Sequence, residues 1–133
     1  MITREADYAM RVTLHLVRAR REGHATASCA NVADHMHIPY RFLRKIVKRM
    51  VAAGLIRSAR GKGGGLRLAR DPRRISLLDI IKAVGPAGVQ LSQCVLRPGS
   101  CGRTGRCRVH TALSAIQETV DQRLAALKLA DLV

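Results

Sequence analysis

Three cysteines fall within the stretch Cys94-Val-Leu-Arg-Pro-Gly-Ser-Cys101-Gly-Arg-Thr-Gly-Arg-Cys107-Arg-Val-His110, spaced C-x6-C-x5-C, with a histidine three positions after the last. The segment is too rich in Gly, Pro and Arg to pack as core. Clustered thiols in such a setting suit a metal ion, an iron–sulfur cluster or a disulfide. Three thiolates and one imidazole make a legitimate tetrahedral zinc site, and thiolates equally hold iron–sulfur clusters. On residue types alone these two stand level. A redox dithiol comes third, because there is no C-x-x-C. Arg97, Arg103, Arg106 and Arg108 surround the thiols; such cations favour the thiolate and offset the negative charge of a thiolate-bound centre. Cys29 stands apart and reads as a small buried hydrophobe.

The rest of the chain must position that loop. Its 133 residues suit one compact domain with a dimerisation arm, and its apolar content of 47% allows a core that must be aliphatic, given one Phe, two Tyr and no Trp. No apolar run approaches the ~18–20 residues of a membrane span, and Met1-Ile-Thr-Arg-Glu has no signal-like apolar region. A cytoplasmic protein with reduced thiols is expected, which moves weight from disulfide to metal ligation. Lys and Arg number 24 against 9 Asp and Glu, a formal charge of +15. That excess favours polyanions by counterion release, with nucleic acid the default partner. The charge is also concentrated, since Arg41 to Lys62 is rich in Lys and Arg and holds no acid. A membrane surface fits less well because this stretch is not one continuous amphipathic helix. Scarce aromatics disfavour single-strand binders, which stack bases on aromatic rings. An enzyme with a small-molecule substrate is not expected: no nucleophile motif is present, and His110 has no carboxylate near it in sequence.

The periodicity predicts a first helix over Thr3–Arg21, with Ala6, Ala9, Met10, Val12, Leu14, Leu16 and Val17 apolar. A second follows over Cys29–Met36, capped by Ser28. After the break His37-Ile38-Pro39 a third spans Tyr40–Ala53, with Phe42, Leu43, Ile46, Val47, Met50 and Val51 at helical spacing. Its other face carries Arg41, Arg44, Lys45, Lys48 and Arg49, the helix-turn-helix pattern. Leu55–Ala59 and Leu66–Ala69 then read as two strands around the glycine-rich loop Arg60–Gly65. The order strand, glycine loop, strand excludes a phosphate-binding nucleotide loop, which needs a helix next and Lys-Ser/Thr. It makes a wing instead, where Gly63 and its neighbours let the backbone approach DNA and Arg60 and Lys62 supply charge.

Ser76 caps a further helix over Leu77–Val84, with Leu78, Ile81 and Val84 inward. The cysteine loop follows, and Arg108–Leu127 forms a long helix. Its apolar Val109, Leu113, Ile116, Val120, Leu124 and Leu127 recur near every 3.5 residues, a seam for a partner helix. Packing on its own domain is the alternative; a homodimer is favoured, because the small body would leave the seam exposed. The expected fold is mainly α with a small β-hairpin wing. Residues 1–84 form a winged helix-turn-helix DNA-binding domain, 85–107 a cysteine-bearing loop and 108–133 a dimerisation helix and tail.

With wing and loop both present, the chain resembles the Rrf2 family of bacterial winged-helix transcriptional regulators over nearly its whole length. Asp7-Tyr8-Ala9-Met10-Arg11 resembles the family's opening helix, and Arg60-Gly61-Lys62-Gly63-Gly64-Gly65-Leu66-Arg67-Leu68 its wing. The three loop cysteines match its cluster loop, and Leu129 to Val133 the stretch after its dimer helix. The resemblance implies a homodimer on a partly palindromic double-stranded operator, acting as a repressor. Arg41, Arg44 and Lys45 would face the major groove and Arg60 the minor groove. It also implies an iron–sulfur cluster, 2Fe-2S or 4Fe-4S, on Cys94, Cys101 and Cys107, whose state answers to iron, redox conditions or nitric oxide. One branch of the family takes its fourth ligand from a histidine placed as His110 is, which suits 2Fe-2S. Another takes an aspartate placed as Asp7 is, from the partner subunit, which suits 4Fe-4S; His110 is favoured here. The first cysteine interval is one residue longer than the family's usual five. A zinc-stabilised or metal-free DNA-binding protein is the alternative.

Overall fold

The structure is a computed structural model and describes residues 2–133; Met1, where the expected DNA-binding domain begins, lies outside the described residues. Six helices and one hairpin follow in order: α1 (Arg4–Arg21), α2 (Cys29–Met36), α3 (Tyr40–Ala52), β1 (Ile56–Ala59), β2 (Gly65–Leu68), α4 (Leu77–Val84), α5 (Gln93–Leu96) and α6 (Arg108–Ala126). Short 3-10 turns lie at Pro72–Arg74, Thr104–Arg106 and Leu129–Leu132. The two strands pair antiparallel, Ile56 opposite Leu68 and Ala59 opposite Gly65.

Helix α1 starts where the Thr3 side chain accepts the Ala6 N–H, with Glu5 and Asp7 in the first turn and Arg18, Arg20 and Arg21 in the last. Both charge placements suit the helix dipole. Ala6, Ala9, Val12, Leu16 and Val17 are buried, whereas Met10 and Leu14 of the expected face are half-buried. Thr13 is buried too, its hydroxyl donating to the Ala9 and Met10 carbonyls at 3.0 and 2.9 Å, so its polarity is satisfied locally.

The turn between α2 and α3 depends on His37, left-handed at φ 52°, while the Ile38 N–H reaches back to the Ala33 carbonyl at 2.9 Å. A side chain there is strained relative to glycine by ~1 kcal/mol. His37→Gly is therefore expected to stabilise the chain by about 0.5–1 kcal/mol, seen as a higher urea midpoint. A lower midpoint would mean that the imidazole itself stabilises the turn.

In α3 the buried stripe is Leu43, Ile46, Val47 and Met50. Phe42 and Val51, expected inward, are exposed at 48% and 40%. Each lies on a shoulder of the stripe, about a quarter-turn from its centre, where helical spacing alone does not decide burial. Gly54 at φ 69° ends the helix, with the Leu55 N–H bonded to the Met50 carbonyl at 2.9 Å. In α4, Ile80, Ile81 and Val84 are buried and the expected Leu78 is only half-buried. A capping box fixes the start of α4: Asp79 accepts from the Ser76 N–H and hydroxyl at 2.9 and 2.8 Å. Burial would raise the Asp79 pKa, but those two donors, together with the charges of Arg70 and Lys128, outweigh it and hold the carboxyl below its ordinary value.

Two sets of backbone hydrogen bonds tie segments distant in sequence to the body. Ala27, in the α1–α2 link, exchanges backbone hydrogen bonds with Leu66 of the wing at 2.9 and 2.7 Å. After α6 the chain folds back: the Leu77 N–H donates to Leu127 and the Leu129 N–H to Ile75, at 3.0 and 2.8 Å. Leu129 is fully buried in the core, and Arg21 donates to the Ala130 and Val133 carbonyls. Among the described residues no helix is long and apolar enough to cross a membrane.

Candidate nucleic-acid interface and cysteine loop

Helix α3 and the hairpin enclose an open groove of about 1000 Å³, lined by Arg44, Lys45, Lys48 and Val51 on one side and Ser58, Arg60, Gly61 and Gly64 on the other. The expected DNA-facing cations Arg41, Arg44, Lys45, Lys48, Arg60 and Lys62 are all exposed, as is Gly63. A recognition helix beside a cationic wing can engage a duplex groove and its flanking phosphates together.

The hairpin loop keeps its shape by exclusion. A Cβ on Gly64 would lie 2.5 Å from the Ala59 carbonyl oxygen, and one on Gly65, at φ 131°, would lie 2.8 Å from that of Ala27. The Thr26 hydroxyl donates to the Gly64 carbonyl at 3.0 Å. The wing is thus tied to the α1–α2 link at two points.

Sequence reasoning missed Glu5. Its carboxylate meets Lys45 Nζ at 2.8 Å and Arg49 Nη1 at 2.5 Å, and Arg49 also donates to the Val84 carbonyl at 2.7 Å. Lys45 is therefore in the groove but already paired, leaving Arg41, Arg44 and Lys48 without an acidic partner among the described residues on this face. The Lys45 hydrogen bond, opposed by partial burial and assisted by Arg49, holds the Glu5 carboxyl below its usual range. The stabilisation this provides is fully present above the ordinary carboxylate pKa and is lost as pH falls through the depressed folded value. The sequence signal was only an acid in a first helical turn, which the helix dipole already explains. Glu5→Gln should free Lys45 for phosphate, raising non-specific DNA affinity and steepening its logarithmic salt slope by about one. An unchanged slope in fluorescence anisotropy titrations would remove Lys45 from the phosphate contacts.

Between α4 and α6 the cysteine loop is partly structured. Ser92 caps α5, and its hydroxyl lies 3.1 Å from Cys94 Sγ. Cys101 is exposed in a turn, whereas Cys107 is half-buried and caps α6. All four cysteines are free thiols. Burial raises the Cys29 pKa, opposed by Arg44, as suits a packing cysteine beside the groove. In the first turn of α6, His110 buries its Nδ1 without a hydrogen-bond partner. Asp7 lies in α1, its carboxylate 2.9 Å from Arg11 of the same helix. Cys94, Cys101, Cys107 and His110 thus share one loop and the helix start it leads into. Among the described residues no three His, Cys, Asp or Glu side chains converge on one point. The donor set has the chemistry of a thiolate–imidazole centre, and closing it requires the loop to gather around the ion or cluster.

The sequence profile of the Rrf2 family, described as "Iron-dependent Transcriptional regulator", matches residues 2–133. The transcriptional regulator NsrR of Shouchella clausii is 31% identical over 126 residues, 91% of this chain and 83% of that protein. The regulator IscR of Xenorhabdus nematophila is 29% identical over 132 residues, 99% of this chain and 78% of that protein. Among solved structures, IscR of T. potens shares the fold with a TM-score of 0.75 at 22% identity, over 99% of this chain and 85% of that one. Winged helix, glycine-tight wing and full-length profile agree: the chain belongs to the Rrf2 family of DNA-binding transcriptional regulators and is not an enzyme.

Proposed function

We propose that this chain is a homodimeric repressor whose affinity for a partly palindromic operator depends on an iron–sulfur cluster held by Cys94, Cys101, Cys107 and His110. The observation that carries the cluster reading is the buried, unpartnered Nδ1 of His110, three residues beyond the last loop cysteine. A buried polar nitrogen without a partner is costly, and ligation removes that cost. Asp7, the alternative fourth ligand from a partner subunit, already has a partner in Arg11, which favours His110 and therefore 2Fe-2S over 4Fe-4S. The family's iron dependence supports the same reading.

When bound, the cluster supplies a redox-responsive centre within the loop. The protein's own residues do the rest. Arg97, Arg103, Arg106 and Arg108 would offset the negative charge of a thiolate-bound centre. Cys94 rides on α5 and Cys107 and His110 on the start of α6, so ligation ties loop to helix. Val109 and Ile116 on α6 and Leu127 at its C-cap are exposed at 64%, 52% and 43%, an apolar seam suited to a second copy of this helix. Two copies would set their recognition helices against half-sites about one helical turn apart. Arg41, Arg44 and Lys48 would meet the major groove, and Arg60, Lys62 and the Gly63 backbone the minor groove. In this reading residues 1–84 bind DNA, 85–107 sense and 108–133 dimerise, all in the cytoplasm.

Anaerobic purification with iron, sulfide and zinc analysis tests it. Iron and sulfide are expected in equal amounts. Cys101→Ala and His110→Ala should abolish or shift the visible absorption, and Asp7→Ala should leave it unchanged. A colourless wild-type protein with one firmly held zinc per chain, or with no metal, would select a zinc-stabilised or metal-free DNA-binding protein instead.

A further inference from the structure

We propose that Gln117 positions the cysteine loop on α6 and thereby couples ligand assembly in the loop to the exposed apolar face of that helix. Gln117 is the one buried residue of α6, and it is polar. Its Oε1 accepts the Leu91 N–H at 3.1 Å, while Nε2 donates to the Val89 carbonyl at 2.6 Å and to Asp121 Oδ1 at 3.0 Å. One amide side chain thus clasps the backbone on both sides of residue 90, immediately ahead of the Ser92 cap and Cys94. Asp121, one turn further along, orients the amide so that its oxygen faces Leu91 rather than Val89.

Seven residues, about two turns or ~10.5 Å, separate Gln117 from His110, so both lie on one face of α6. That face also carries the unpartnered His110 nitrogen. Val109 and Ile116, each one residue earlier, are exposed on the neighbouring face. The two faces share one rigid helix, so a loop fixed to the first cannot move without turning the second or breaking the clasp. Leu91 makes the clasp readable, because the residue is 42% exposed while its amide is held by Gln117. The positioning role stands on these contacts alone; the coupling rests on the cluster reading above.

The test uses the full chain with Gln117→Leu, and Gln122→Leu on the solvent side of α6 as control. In cluster-free protein, Gln117→Leu should speed Leu91 amide exchange by about tenfold while the amides of α1 to α4 keep their rates. After anaerobic reconstitution the variant should lose its visible absorption faster in air, and its operator affinities with and without cluster should draw together. Unchanged Leu91 exchange, or equal acceleration of every amide, would overturn the positioning role. Altered Leu91 exchange with an unchanged affinity ratio would overturn the coupling. If wild-type protein takes up no cluster, the reading under Proposed function fails and the exchange result still decides the clasp. Should Gln117→Leu fail to fold, the smaller Gln117→Ala likewise removes both the acceptor for Leu91 and the donor to Val89; wild-type Leu91 exchange in that variant would then count against the proposal.

Discussion

Leu129→Ala is expected to destabilise the folded chain by about 2–5 kcal/mol, as large-to-small changes in a packed core do. The position lies beyond α6, in the short 3-10 turn Leu129–Leu132. That turn is held. Leu129 is fully buried in one cluster with Leu16, Ile75 and Ile80, and its N–H bonds the Ile75 carbonyl at 2.8 Å. Arg21 closes over the Ala130 and Val133 carbonyls. Leu132, 38% exposed in the same turn, is the control: Leu132→Ala should stay within about 0.5 kcal/mol of wild type. Urea unfolding at pH 7 separates the two. A cost below ~1 kcal/mol at Leu129 would mean that the tail is not part of the cooperative core. The functional corollary is orientation, since the docked tail fixes the far end of α6 to the segment leading into α4, whatever happens at the cysteine end.

The recognition unit was legible because its signals are local. Ser28 before an apolar-periodic run, Pro39 at the break and Gly54 after α3 each act on the backbone within a few residues. The wing was legible for the same reason, its glycines standing between two short alternating runs. What escaped was set by partners distant in sequence. Glu5 pairs with Lys45 and Arg49 some forty residues on, and Ala27 bridges to Leu66. Neither partner changes a hydrophobic period. Helix α5 spans only Gln93–Leu96, too short for any periodicity to register, though Ser92 ahead of Gln-Cys-Val-Leu was a faint cap signal. Gln117 escaped for the opposite reason: a polar residue on a long helix reads as solvent-facing, and only the loop laid over it buries the amide. At the cysteine loop the candidate ligand types were plain from the sequence, but their convergence is not a property of spacing. It depends on how far the segment between α5 and α6 can fold, which no local signal encodes.

Gly64→Ala is expected to cost far more in DNA binding than in folding. The added Cβ would meet the Ala59 oxygen at 2.5 Å and the Arg60 carbonyl carbon and oxygen at 2.8 Å. All three are backbone atoms of the facing strand end, so no side chain can rotate away. The hairpin tip must open, and the Gly64 N–H bond to the Gly61 carbonyl, 3.0 Å long, opens with it. The tip contributes little to the core, so the stability loss should be about 1–3 kcal/mol, as for other overpacked sites. Arg60 and Lys62, however, sit on the displaced segment. If both meet phosphate, losing them should flatten the salt slope of operator binding by about two; if Arg60 reads a base instead, the slope should flatten by about one and binding weaken by about 1–3 kcal/mol more. Gly63→Ala separates shape from strain: its backbone is left-handed at φ 78°, yet a Cβ there meets nothing within 4 Å. It should cost about 1 kcal/mol in stability and leave the salt slope near wild type. A folded Gly64→Ala protein with an unchanged slope would show that the wing does not dock, leaving DNA contact to α3 alone.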